Sequence, residues 1–170
     1  FAYEKLHSLY FDISRFPDYG QLSGIDINKI RLGATVDLDE YEKENPRDFT
    51  LFKRTKLSEL KRGIFYKTQW GNVRPSWHIQ CAAMSMKHLG DYYDIYAGSR
   101  ELLFPHHENV NAIAAALTGK SPARFWIHCD RVLIDGKKVD ETDCGHTLDD
   151  LMHMGYPGRL IRYWLFKTHY

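Results

Sequence analysis

The sequence predicts an α/β fold in which helices alternate with parallel strands. Three observations carry that prediction. From residue 76 onward, apolar residues switch between helical spacing and short buried runs, in the order helix, strand, helix, strand, helix. Glycine and proline punctuate the switches, at Gly90, Gly98, Pro105 and Gly119. The composition, 44% hydrophobic and 26% charged over 170 residues, is that of a globular domain with a core of its own.

Taken in order, residues 1–62 are rich in charge and turns, as in FPDYGQLSG and DLDEYEKENPRD, and admit only short elements. KLHSLYFDI alternates like a strand, and SELKR reads as a helical turn. WGNVRP, at 70–75, reads as a loop. Ser76 is a natural N-cap for a helix on which Ile79, Ala82, Ala83 and Met86 recur, and Gly90 stops it. DYYDIYAG reads as a short buried strand ending at Gly98. PHHENVNAIAAALTG reads as a helix with Pro105 in its first turn and Gly119 past its end. ARFWIHCDRVLID is β-rich, and GKK turns. TLDDLMHMG and PGRLIRYWLFKTHY are two further helices, with Thr147 and Gly158 near their starts. No internal repeat or low-complexity tract interrupts this order. In parallel sheets ligands sit at the carboxyl ends of the strands, here near Gly98 and His128.

Composition also excludes classes of function. A formal net charge of +1 leaves no electrostatic footprint for nucleic acid, although local patches are compatible with it. No apolar run approaches the roughly 20 residues of a membrane helix. No basic-then-apolar signal stands at the N-terminus, and the chain opens at Phe1, as expected of a sequence that has lost its start. The three cysteines, Cys81, Cys129 and Cys144, are odd in number and widely spaced, which fits reduced thiols in a cytoplasmic protein.

The stretch RELLFPHHENV, residues 100–110, concentrates the chemistry. It runs from a strand end into a helix start, where free N–H groups attract phosphate or carboxylate. The competing reading is that His106 and His107 are helix-start residues satisfied by backbone bonds. On residue types alone the two readings stand level.

RPSWHIQCAAMSMKHLG, DIYAGSRELLFPHHEN, ALTGKSPARFWIH, DGKK and IRYWLFKTHY, in that order, resemble the second half of the catalytic domain of cysteinyl-tRNA synthetases. YFDISRFPDYGQLSG and NPRDFTLFKR resemble the insertion between the two halves of that domain. The resemblance implies a class I, Rossmann-like sheet, with residues 1–70 as insertion and 71–170 as the second half of the nucleotide fold. It implies ATP with Mg2+, cysteine activation as an adenylate, and transfer to tRNA. Other polypeptide, a missing N-terminal half or a partner chain, is expected to complete the sheet.

Residue by residue, the resemblance assigns amino-acid recognition to Trp77 and His78, and to the next strand at Tyr96, where the family has histidine. It assigns the adenosine turn to Gly98, Ser99 and Glu101, with His107 beside them. The family holds zinc with two cysteines, a histidine and a glutamate. Cys81 and His106 match one cysteine and the histidine, Val110 stands at the glutamate's place, and the other cysteine belongs to the half this sequence lacks. Two ligands fall short of the usual three or four. The family's mobile Lys-Met-Ser-Lys-Ser loop corresponds to Lys138-Val139-Asp140-Glu141-Thr142. Lys138 keeps the first lysine, while Glu141 replaces the second and opposes charge developing on a transferring phosphate. Three readings follow: a diverged adenylate-forming synthetase, a binding module that has lost catalysis, and a ligase joining cysteine to an amine.

Overall fold

The computed structural model describes residues 1–29, 43, 45, 47–134, 137–138 and 147–167. These fall into two compact units, 1–129 and 130–170.

The first unit opens with an antiparallel sheet. Its strands are β1 (Ala2–Lys5), β2 (Ser8–Phe11), β3 (Phe49–Arg54), β4 (Tyr66–Thr68) and β5 (Gly71–Pro75), in the spatial order β1-β2-β3-β5-β4. KLHSLYFDI therefore holds the last residue of β1, a hairpin turn at Leu6 and His7, both with positive φ, and the whole of β2. WGNVRP is not a loop. Gly71, at φ 99, completes a tight hairpin with Thr68, and the residues after it pair with both β3 and β4. Asp48 ties the front of this sheet together. Its carboxylate accepts from the Tyr3 hydroxyl at 2.9 Å and from the Ile13 N–H at 3.1 Å. The helical turn predicted in SELKR is α1 (Leu57–Lys61).

Beyond the sheet the expected α/β order appears. Helix α2 (Trp77–Leu89) begins at Ser76, whose hydroxyl caps the Ile79 N–H, and stops at Gly90 in a positive-φ conformation. Ala82 on this helix is buried, Ile79 and Met86 are half-buried, and Ala83 faces outward. Strand β6 (Tyr93–Ser99) lies parallel to β7 (Ala123–Cys129), and α3 (Glu108–Thr118) crosses between them. Pro105 sits just ahead of α3 rather than in its first turn. It belongs to a wide turn, Leu103–His107, in which Phe104 is extended. Gly119 closes α3 in the left-handed conformation.

The parallel pair has two unlike faces. Tyr96, Trp126 and His128 alternate onto one, and Ile95, Phe125 and Ile127 onto the other. On the first face Tyr96 and Trp126 pack against the main apolar core. That core runs from Leu9, Phe11, Phe49 and Leu51 of the antiparallel sheet to Ala82 of α2 and Val110, Ala112 and Ile113 of α3. On the second face Ile95, Phe125 and Ile127 are 53%, 53% and 45% exposed.

The second unit holds the short antiparallel pair β8 (Leu133–Ile134) and β9 (Lys137–Lys138), then α4 (Leu148–His153) and α5 (Gly158–Lys167). Thr147 caps α4 reciprocally with Asp150, as its place in the sequence predicts.

Candidate active site

Four histidines from three elements meet at the carboxyl end of the parallel pair. The start of α2 supplies His78, the wide turn before α3 supplies His106 and His107, and the end of β7 supplies His128. They form two hydrogen-bonded pairs. His78 Nδ1 lies 2.9 Å from His106 Nδ1, and His107 Nδ1 lies 2.8 Å from His128 Nε2. In each pair one ring donates and the other accepts. His106 and His107 are thus not merely helix-start residues satisfied by the backbone; their ring nitrogens reach other side chains.

Backbone geometry explains how the rings converge. The antiparallel sheet fixes the start of α2, because Ser76 N–H donates to the Leu51 carbonyl of β3 at 2.8 Å. Trp77 and His78 follow directly. The Trp77 indole stacks on His106 with centroids 4.2 Å apart, yet Trp77 is 58% exposed. It borders the histidine cluster from the solvent side. Gly98 pairs in register with His128 and passes under His107. A Cβ on Gly98 would lie 2.5 Å from His107 Cε1 and 2.9 Å from Nε2, so only glycine lets this ring lie over the strand. Ser99 caps the following turn through its hydroxyl to the Glu101 N–H. Ser99 is half-buried and Glu101 exposed, so a ligand at the strand ends has access to both.

Burial sets the electrostatics. His107 is pushed from its ordinary 6.5 to about 4, first by desolvation and then by the neighbouring His106 and His128. Burial also lowers His106. His128 is lowered by burial and by the charge of Arg100. His106, His107 and His128 are therefore held as neutral imidazoles near neutrality, able to hydrogen-bond without adding charge. Burial raises the Cys81 thiol, and Tyr96 is pushed up to about 12 by burial and the neighbouring Cys81 and Tyr93. Stability should depend on pH accordingly. The folded pKa of His107 lies below its unfolded value, so the unfolded chain binds more protons between pH 6.5 and about 4. Stability is full above about pH 6.5 and is lost as pH falls through this window. Thermal unfolding from pH 7.5 down to 4.5 should show the loss, and His107→Gln should flatten it.

The other predicted residues divide. Tyr96 lies edge-on to His107 and stacks on Trp126 at 4.5 Å, so it fills the site's floor. Cys81 stands one turn beyond Trp77 on α2, half-buried against the apolar core. Val110 is wholly buried in the same core. Among the described residues no three His, Cys, Asp or Glu side chains converge as a metal-binding group. These residues do not fit the four-ligand zinc set: Val110 offers no donor, and Cys81 and His106 are two ligands where three or four are usual. Lys138 lies in β9, its backbone paired with Leu133. Val139, Asp140, Glu141 and Thr142 lie outside the described residues, as does Cys144.

Two residues, one in the cluster and one next to it in the chain, are not singled out by the sequence as site members. His128 had a usable signal, since it closes a strand opposite Gly98. Glu108 had none, because its partners, Gly20 and Ser23, lie more than eighty residues away.

Comparison with known proteins bears on this geometry. The family described as the catalytic domain of class I (C) tRNA synthetases matches residues 1–170. The cysteine–tRNA ligase of Methanosarcina mazei is 44% identical over 170 residues, 99% of this chain and 36% of that protein. That of Chlamydia pneumoniae is 44% identical over 165 residues, 96% of this chain and 34% of the relative. That of Carboxydothermus hydrogenoformans is 41% identical over 170 residues, 100% of this chain and 36% of the relative. The chain therefore spans about a third of the length of these relatives.

Proposed function

The chain belongs to the catalytic-domain family of class I (C) tRNA synthetases, and from that membership we propose that it works as part of an ATP-dependent ligase that activates cysteine, or a closely related amino acid, and transfers it to tRNA in the cytoplasm. The supporting observation is the paired histidine cluster at the carboxyl ends of β6 and β7, within the 170 residues over which the chain matches the Methanosarcina mazei cysteine–tRNA ligase. In this reading residues 1–70 are an insertion and 71–170 the second half of the nucleotide fold. ATP, with Mg2+, supplies the α-phosphorus that the amino-acid carboxylate attacks, and pyrophosphate leaves.

The chain's own residues would do the following. Trp77, His78 and Tyr96 wall the amino-acid side. Gly98 gives the nucleotide close access to the backbone, Ser99 and Glu101 offer acceptors to ribose hydroxyls, and His107 contributes a neutral ring. Lys138 supplies positive charge to the phosphates. The apolar face of Ile95, Phe125 and Ile127 is where further polypeptide would pack, since parallel sheets are covered on both faces and about two-thirds of each relative's length lies outside this chain.

A second reading, a nucleotide-fold binding module without catalysis, is favoured by Glu141 in place of the loop's second lysine and by Val110 in place of a metal donor. ATP–pyrophosphate exchange by the complete protein, screened across amino acids, separates the readings. Exchange with cysteine or a close relative is expected. Its absence for every amino acid, with ATP still bound, would establish the module instead. Dependence of product on tRNA then distinguishes a synthetase from a cysteine:amine ligase.

A further inference from the structure

Glu108 is wholly buried, yet three donors converge on its carboxyl group. Gly20 N–H reaches Oε1 at 2.9 Å; Ser23 N–H and Ser23 hydroxyl reach Oε2 at 2.8 and 2.7 Å. The next residue, Asn109, is also buried and accepts from the Tyr19 hydroxyl. Two consecutive residues of α3 thus clamp the turn Tyr19–Ser23 across the helix start. The turn is shaped for the purpose. Gly20 has φ 95, and a Cβ there would lie 2.8 Å from the Ile25 carbonyl oxygen.

The clamp adjoins the histidines by sequence and by packing. His106 and His107 immediately precede Glu108, in a turn that Phe104 interrupts with extended backbone. A wide backbone bond from Glu108 N–H to the Leu103 carbonyl spans that turn in place of α-helical bonding. The Tyr19 ring stacks on Phe49 at 6.1 Å, and Phe49 meets His78 edge-on at 5.8 Å. A closed ring of contacts results: Glu108 and Asn109 to the turn, Tyr19 to Phe49, Phe49 to His78, His78 to His106, and back along the chain to Glu108.

We propose that the Tyr19–Ser23 strap, held by Glu108 and Asn109, is the positioning element for His106 and His107, so that the N-terminal segment is a working part of the site. Glu108, Ser23 and Tyr19 are positioning residues. They act through the two imidazoles and touch no ligand. The consequence for catalysis rests on the amino-acid-activating reading above. The strap itself does not.

The test uses the complete protein with 15N-labelled histidine and two mild variants, Ser23→Ala and Tyr19→Phe. Each removes one hydroxyl. The imidazole nitrogen resonances of His106 and His107, and of their partners His78 and His128, should shift in both, while those of His88 and His153 stay fixed. In pyrophosphate exchange the double variant should raise KM for the amino acid about tenfold and change kcat by less than about twofold, as loss of hydrogen bonds that orient a pocket wall would. Ser23→Thr, which keeps the hydroxyl, should restore both readouts. Variants that melt earlier but keep wild-type imidazole resonances and KM would overturn the proposal and leave a purely structural clamp. If the wild-type protein shows no exchange, the amino-acid-activating reading fails, and the imidazole resonances alone still decide on the strap.

Discussion

Gly98→Ala is expected to lower pyrophosphate exchange by about a hundredfold. The added methyl would stand 2.5 Å from His107 Cε1, and that ring is buried and hydrogen-bonded to His128. Overpacking of this kind costs roughly 1–3 kcal/mol. The ring must move, and it then loses His128, now 2.8 Å away. A displacement of about 1 Å in a positioned group is worth on the order of a hundredfold in rate. The double variant Gly98→Ala/His107→Ala separates the two effects. Removing the ring relieves the clash, so thermal stability should return toward wild type while exchange stays low. Undiminished exchange in Gly98→Ala alone would show that the reacting groups do not meet above this strand.

Val110→Glu should be the most destabilising single change in the site, and zinc should reverse part of the loss. Val110 is wholly buried among apolar side chains. An unpaired carboxylate there costs several kcal/mol, about 3–5 by analogy with broken buried ion pairs. The new carboxylate would stand one helical turn from His106, in the apolar core against which Cys81 also packs. With a metal bound, the three side chains would reach the usual minimum of protein ligands. In the complete protein, the variant should melt well below wild type in chelator and recover with added zinc, with bound metal rising towards one per chain. A variant equally unstable with and without zinc would mean that position 110 shares no donor set with Cys81 and His106.

Much of the fold is legible in the sequence wherever local chemistry is decisive. Ser76, Gly90, Gly119 and Thr147 mark helix ends because caps and left-handed turns depend on a few adjacent atoms. Strand β5 is not legible, because its pairing with β3 spans some twenty residues of chain and its own sequence carries Gly, Asn and Pro. The site is half legible. The histidines announce themselves by type and by their place at a strand end. Their pairing does not, since it depends on how α2, the wide turn and β7 meet in space. The Glu108 clamp is invisible for the same reason: a buried carboxylate with distant backbone partners leaves no local pattern.

The two faces of the parallel pair carry one last consequence. Along β7, the aromatic and imidazole side chains that serve the site occupy every second position, and the apolar residues of the opposite face fill the gaps. The strand behaves like a text with a two-letter reading frame. Lengthening the crossover between α3 and β7 leaves that frame intact, so variation in length there is free to accumulate. A single residue inserted inside β7 inverts it, carrying His128 to the far side and setting an isoleucine under His107. Single substitutions along this strand can therefore be accommodated far more readily than a shift of its frame.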